Sequence, residues 1–156
     1  MVATGMRSDV LMREVFDNSS KKMASQIATT DSSKIAVLEL NSFIRGYHAY
    51  LDMWTPFIGE GLLLRREPEN VKDRSAVSVQ KDGETVGHIP FNISNAVSHF
   101  LRREFNKGFA EVTGEMVNRG AGYGLEIPCI YRFYGPQPYV TKLEEVIAAL
   151  RDQHLL

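Results

Sequence analysis

From Ile35 onward the chain sets branched and aromatic residues among polar ones in the manner of β structure. Ile35, Val37 and Leu38 lead through Leu40 to Phe43-Ile44, Tyr47 and Tyr50, which predicts one long strand. Trp54-Thr55-Pro56-Phe57 ends that run, because a proline has no N–H to give to a central ladder. Gly61 to Arg66 reads as the next strand, closed by the turn chemistry of Glu67-Pro68-Glu69-Asn70. Ala76, Val77 and Val79 precede Lys81-Asp82-Gly83-Glu84, and Thr85-Val86-Gly87-His88-Ile89 follows. Asp-Gly between two apolar runs predicts a hairpin with a type I′ turn, since both central positions need positive φ. Ile93, Ala96, Val97, Phe100, Leu101 and Phe105 then change the period to that of a helix, with Asn92 as its expected N-cap and Gly108 as its stop. Ser94, Asn95, Ser98, Arg102 and Arg103 fill the opposite, polar face. Phe109 to Val117 and Leu125 to Phe133 are two further strands joined by the glycine-rich loop 118–124. Leu143, Val146, Ile147 and Leu150 form the stripe of a short C-terminal helix.

Short strands with one helix inserted before the last hairpin predict a mainly β fold, a partly open barrel of the OB or SH3 type. The expected divisions are a flexible or partly helical arm over 1–33, a barrel over 34–135, and a helix over 136–156. That last helix packs either on the barrel or against a second copy in a homo-oligomer. Within the arm, Asp9 to Phe16 fits roughly two helical turns, with Val10, Met12, Val15 and Phe16 apolar.

Composition narrows the chemistry. Cys129 is the sole cysteine, so no internal disulfide and no cysteine metal site can form, and its apolar neighbours mark it as a buried filler. No run approaches the length of a membrane span and the first residues lack a signal-peptide core, so the expected setting is soluble and intracellular. Formal net charge is −1, and residues 42–135 carry equal numbers of basic and acidic side chains. A protein that tracks a long phosphate backbone usually has a basic excess, because its affinity comes from counterion release. Any nucleic-acid site here is therefore expected to be small and local.

Catalysis finds no constellation. His48, His88, His99 and His154 show no metal-ligand spacing, and there is no nucleophile elbow and no P-loop. The Gly120-Ala121-Gly122-Tyr123-Gly124 run is followed by a strand, where a dinucleotide site needs a helix. Glu67 and Glu69 flank a proline in a turn. The expectation is a protein that is not an enzyme and needs no cofactor or metal. Asn70 and Asp73 can either build a turn backbone or face a partner, and His88 is either satisfied structurally or lines a groove. Arg65-Arg66 and Arg102-Arg103 read as solvated faces, whereas Arg119 at the glycine-loop tip is a candidate partner contact. Trp54 either caps the core or presents an interaction loop. A protein partner would meet that loop or the N-terminal arm.

The stretch from Gly59-Glu60-Gly61 through Arg66-Glu67-Pro68-Glu69-Asn70, Asp73 and Ala76-Val77-Ser78-Val79, followed by Val86-Gly87-His88-Ile89-Pro90, resembles the HIRAN domain family. Gly46-Tyr47-His48-Ala49-Tyr50 stands where that family has its first strand and a G-x-x-x-Y element, and the resemblance covers about 42 to 135. It implies an OB-like barrel of the kind found on nuclear DNA-remodelling helicases, capturing the 3′ end of single-stranded DNA. In that picture Asp73 accepts the terminal hydroxyl, Asn70 supports it from the preceding turn, and His88 is the groove histidine. A carboxylate suits a 3′-OH and repels an internal phosphate, which gives end selectivity. Where the family stacks aromatic rings on bases, this chain has Ala49 and Lys72, and where it has a phosphate-contacting lysine, this chain has Phe91. Rings from Tyr47, Tyr50 or Phe91 and charge from Lys72, Arg74 or His48 are the expected substitutes. The alternative is a protein-interaction module that has kept the fold and lost the ligand.

Overall fold

The structure, a computed structural model, describes residues 34–120 and 122–153; the expected Asp9–Phe16 helix lies outside them. The described residues form seven strands: β1 Ile35–Ile44, β2 Gly61–Arg66, β3 Val77–Lys81, β4 Glu84–His88, β5 Lys107–Val112, β6 Val117–Asn118 and β7 Leu125–Pro136. Helix α1, Phe91–Leu101, is inserted between β4 and β5, and α2, Gln137–Asp152, follows β7. The strands lie in the order β1-β7-β5-β2-β3-β4, with β6 paired to the start of β7. All pairings are antiparallel. The path then returns on itself through a bridge between Arg45 and His88, whose amides exchange hydrogen bonds of 2.8 and 2.9 Å. The expected partly open barrel is therefore what forms, with its seam between β4 and the end of β1.

β7 is the spine of the sheet. Its odd residues Ile127, Cys129, Tyr131 and Phe133 point inward and are buried, while its even residues from Pro128 to Tyr134 are half-exposed, as a period of two requires. One edge pairs with β1 from Ile35↔Pro136 to Ile44↔Ile127, and the other edge pairs with β5. The β3–β4 hairpin turns at Asp82 and Gly83 with φ of 51° and 83°, both positive as the Asp-Gly signal demands.

β1 is shorter than its pattern predicts. Gly46 takes a left-handed conformation, φ 77°, and the chain turns there into a single 3-10 turn over Tyr47–Tyr50. Tyr47 swings into the core, donates its hydroxyl to the Trp54 carbonyl at 3.0 Å and meets the indole edge-on. Trp54 is itself 3% exposed and donates Nε1–H to the buried Glu60 carboxylate, which Lys81 neutralises at 2.7 Å. The indole thus caps the core, and the exposed apolar side chains around it are Leu51, Met53, Phe57 and Ile58.

The inserted helix also departs from expectation at both ends. Pro90 occupies the N-cap position and Asn92 lies inside the first turn. The helix stops at Leu101, where buried Asn106 donates to the Phe100 carbonyl at 2.9 Å, and Gly108 belongs to β5. Phe105 leaves the helical stripe and packs on Tyr139 of α2, ring centroids 5.4 Å apart. Ser94 and Ser98, expected on the solvent face, are buried: Ser94 donates to its own helix at Phe91 and Ser98 accepts from Arg66 of β2. α2 sets Val140, Leu143 and Ile147 against the sheet, each buried side chain worth about 1.5–3 kcal/mol as an upper estimate. Among the described residues, no helix is long and apolar enough to cross a membrane.

Candidate functional site

The seam brings together what the sequence scatters. β2 ends at Arg66, and the loop to β3 is knitted by its own short polar side chains. The Asn70 Oδ1 accepts from the amides of Lys72 at 3.0 Å and Asp73 at 3.2 Å, and the Asp73 Oδ1 accepts from the Ser75 amide at 2.9 Å. Both residues therefore do build the turn. Backbone bonds from Glu67 to Ala76 and from Ala76 to Asp73 close the loop at its base. Ser75 donates to Asn95 at 3.2 Å, which fastens the loop to α1.

Asp73 is half-exposed and forms no ion pair among the described residues. Its carboxylate is therefore oriented by one oxygen without being neutralised. Lys72 and Arg74, on either side, are exposed, and Val71 at the loop tip is 91% exposed.

His88 ends β4 beside this loop. Its Nε2 lies 2.6 Å from the Glu67 Oε1, and the Asn70 amide approaches the same oxygen at 3.5 Å. Glu67 is thus the pivot between Asn70 and His88. The sequence marks it only as a turn carboxylate beside Pro68; its place in the Arg-Glu-Pro part of the motif was the available signal.

Gly87 explains why the seam can close next to His88. A Cβ there would lie 2.5 Å from the Ile44 Cγ2 and 2.9 Å from the Arg45 carbonyl oxygen, so a side chain cannot be accommodated without displacement. Across the bridge, Arg45 donates from Nε to Glu126 at 3.0 Å and stacks its guanidinium over the Tyr123 ring at 3.9 Å. Arg119 grips the other side of Glu126 through Nε at 2.8 Å and Nη2 at 3.0 Å, and lies 3.8 Å over the Phe43 ring.

Glu126 is fully buried. Burial pushes its carboxyl up, but hydrogen bonds and charge from Arg119 and Arg45 outweigh that and hold it below the ordinary glutamate range. Arg119, expected as a free-standing contact, is therefore structurally engaged. A cleft of about 180 Å³ lies between β1 and the start of α1, lined among others by Ser42, Arg45, Arg119 and Arg151.

The remaining candidates sit around this line of contacts. Phe91, the first residue of α1, follows His88 by only Ile89-Pro90 and is 75% exposed. The 3-10 turn that carries His48 and half-exposed Tyr50 packs against β4. Cys129 is buried among core side chains, and burial pushes its thiol up to about 12. Among the described residues no group of three or more His, Cys, Asp or Glu side chains is placed to hold a metal ion.

Comparison with known proteins agrees with this architecture. The sequence model of the family described as HIRAN domain matches residues 41–123. The crystal structure of the HIRAN domain of human HLTF superposes with a TM-score of 0.58 at 19% identity, covering 71% of this chain and 88% of that one. An NMR structure of the HLTF HIRAN domain gives 0.55 at 18% identity, covering 75% and 92%. The NMR structure of the same domain in its DNA-bound conformation gives 0.50 at 18% identity, covering 74% and 90%. At these identities the likeness shows the fold. No curated protein matches the chain.

Proposed function

Since this chain belongs to the HIRAN domain family, we propose that it binds DNA, at the 3′ ends of single strands, and that it acts by binding without catalysing a reaction. Its place of work on this reading is the compartment that holds the DNA, the nucleus in a cell that has one. The observation that carries the reading is the Asp73 carboxylate, oriented through Ser75 yet unpaired, on a loop tied through Asn70 and Glu67 to His88.

A terminal 3′-hydroxyl donates to Asp73, whereas a phosphate at that position brings like charge against it. The turn bonds of Asn70 hold the carboxylate in place. Phe91 and Tyr50 offer rings to the last bases, each stacked base being worth about 1–3 kcal/mol. Lys72, Arg74 and His48 are the proposed phosphate neighbours, with Arg119 at the outer end of the arginine cleft. The DNA-bound conformation of the HLTF HIRAN domain supports this choice of ligand.

Fluorescence anisotropy with short single strands ending in a 3′-OH or a 3′-phosphate tests the reading. Tighter binding of the hydroxyl strand is expected. Asp73→Asn keeps an oxygen for the Ser75 amide but removes the charge, and it should narrow the difference between the two ends. Equal binding of both strands by the wild type, or binding of neither, refutes end capture.

One observation favours a second reading as a protein-binding module. Leu51, Met53, Phe57 and Ile58 are all more than 40% exposed around the buried Trp54. Partners that survive nuclease treatment and are lost in Phe57→Asp would support it.

A further inference from the structure

α1 and α2 do not close on each other along their full length. Between them runs a groove of about 710 Å³ whose walls include Ala96, Val146 and Leu150, with His99, Arg103 and Lys142 along its edges. Among the described residues no carboxylate lines it. Val146 and Leu150, predicted as part of the C-terminal stripe, face this groove half-buried beside buried Leu143, while Val140 and Ile147 take the sheet side. The apolar stripe of α2 is therefore wider than the barrel covers.

We infer that the groove is the docking site of this chain's own residues 9–17, seated as a short helix. Three observations select that occupant. The Lys34 carbonyl accepts from the Gln137 amide at 3.2 Å, so the preceding chain departs from the first turn of α2, where Pro138 and Tyr139 line one end of the groove.

Residues 18–33 then form a tether that reaches up to about 50 Å when extended, while α2 is only about 24 Å long. The segment can thus reach every part of the groove, at the high effective concentration that a short linker confers.

Its pattern matches the groove in both polarity and sign. At helical spacing Leu11, Met12, Val15 and Phe16 share one face, flanked by Asp9 and Glu14. That is an apolar face for the floor and two carboxylates for a rim whose charged members are cationic. A helix this short is marginal alone in water, so the docked state and the helix form together.

The test uses the full chain. Arg7→Cys supplies a single attachment point for a nitroxide, because Cys129 is only 1% exposed and its thiol is held up at about 12. The amide signals of Ala96, His99 and Val146 should be broadened by the label, to the same degree on dilution, and should recover when Phe16→Asp is added. Full-intensity signals at those three residues overturn the inference. Broadening that appears only when labelled chains are mixed with isotope-enriched unlabelled ones also overturns it, because the occupant is then a second copy's segment.

Discussion

Gly87→Ala is the sharpest test of how the seam is held. The added methyl would sit 2.5 Å from the Ile44 Cγ2 and 2.9 Å from the Arg45 carbonyl oxygen. Ile44 is completely buried, and the oxygen belongs to backbone that accepts the His88 amide. Neither neighbour can retreat cheaply. If the core absorbs the methyl, overpacking costs about 1–3 kcal/mol. If instead the strands part, two backbone hydrogen bonds are lost at about 0.5–1.5 kcal/mol each. The alanine also restricts the unfolded chain, which returns about 0.4–1 kcal/mol. The expected net loss is about 1.3 kcal/mol at mid-range and at most about 2.6 kcal/mol, a sizeable share of the roughly 5–15 kcal/mol that holds a domain folded. Urea unfolding should show a lower midpoint at unchanged slope. Hydrogen exchange should show the Arg45 and His88 amides losing protection before those of β7. A midpoint equal to the wild type, with both amides still protected, refutes the reasoning that Gly87 is required for closure.

Phe91→Ala should separate binding from folding: the ring is 75% exposed, so thermal unfolding should barely move. Affinity for a short single strand should fall about 5- to 150-fold, as loss of one stack of about 1–3 kcal/mol implies; anisotropy reads both limits. Glu126 has a lower pKa folded than unfolded, so its stabilisation is complete above the ordinary value of 4.5 and drains as pH falls through the depressed folded value. Glu126→Gln should therefore flatten the acid limb of a plot of urea midpoint against pH; an unchanged limb counts against the buried ion cluster. Cys129, 1% exposed with its thiol pushed up to about 12, should stay inert to a thiol reagent in the native protein and react on unfolding. Rapid native reaction would place it outside the core.

The parts of the fold that were legible are those whose signals are local. Asp82-Gly83 announces its turn because few other residues accept two positive φ values in succession, and the Gly61–Arg66 strand appears with the predicted bounds. The errors occur where a distant partner decides. Tyr47 looks like a strand residue until Gly46 turns the chain and Trp54 supplies a hydrogen-bond acceptor and a ring. Ser94 and Ser98 look solvated until α1 packs beneath the β2–β3 loop and Ser98 meets Arg66, a residue 32 positions away. At the candidate site, Asn70 and His88 were visible from the motif. Glu67 was not assigned a role, because its contact with His88 spans 21 positions and no local pattern reports it. Arg119 illustrates the reverse case: an arginine in a glycine loop appears available until Glu126 folds in beneath it.

These contacts share one location, and the barrel's construction accounts for it. Among the described residues β4 meets β1 through the isolated Arg45–His88 bridge, whereas β1 and β7 pair along ten positions. Weakly paired regions of a fold are the ones that open most readily and from which binding surfaces are drawn. Asn70, Glu67, His88, Arg45, Glu126 and Arg119 form a continuous line of side-chain and backbone contacts across that seam. The charges along the line mostly cancel, in keeping with a barrel of no net charge. Long-range attraction for a phosphate backbone is accordingly weak, so the proposed DNA binding would rest on short-range contacts beside the seam. An oriented carboxylate at Asp73 and an exposed ring at Phe91 are contacts of that kind, and on the proposed reading they tell a strand's end from its interior by a hydrogen bond to the hydroxyl and by local like-charge repulsion of a phosphate, both acting only at short range.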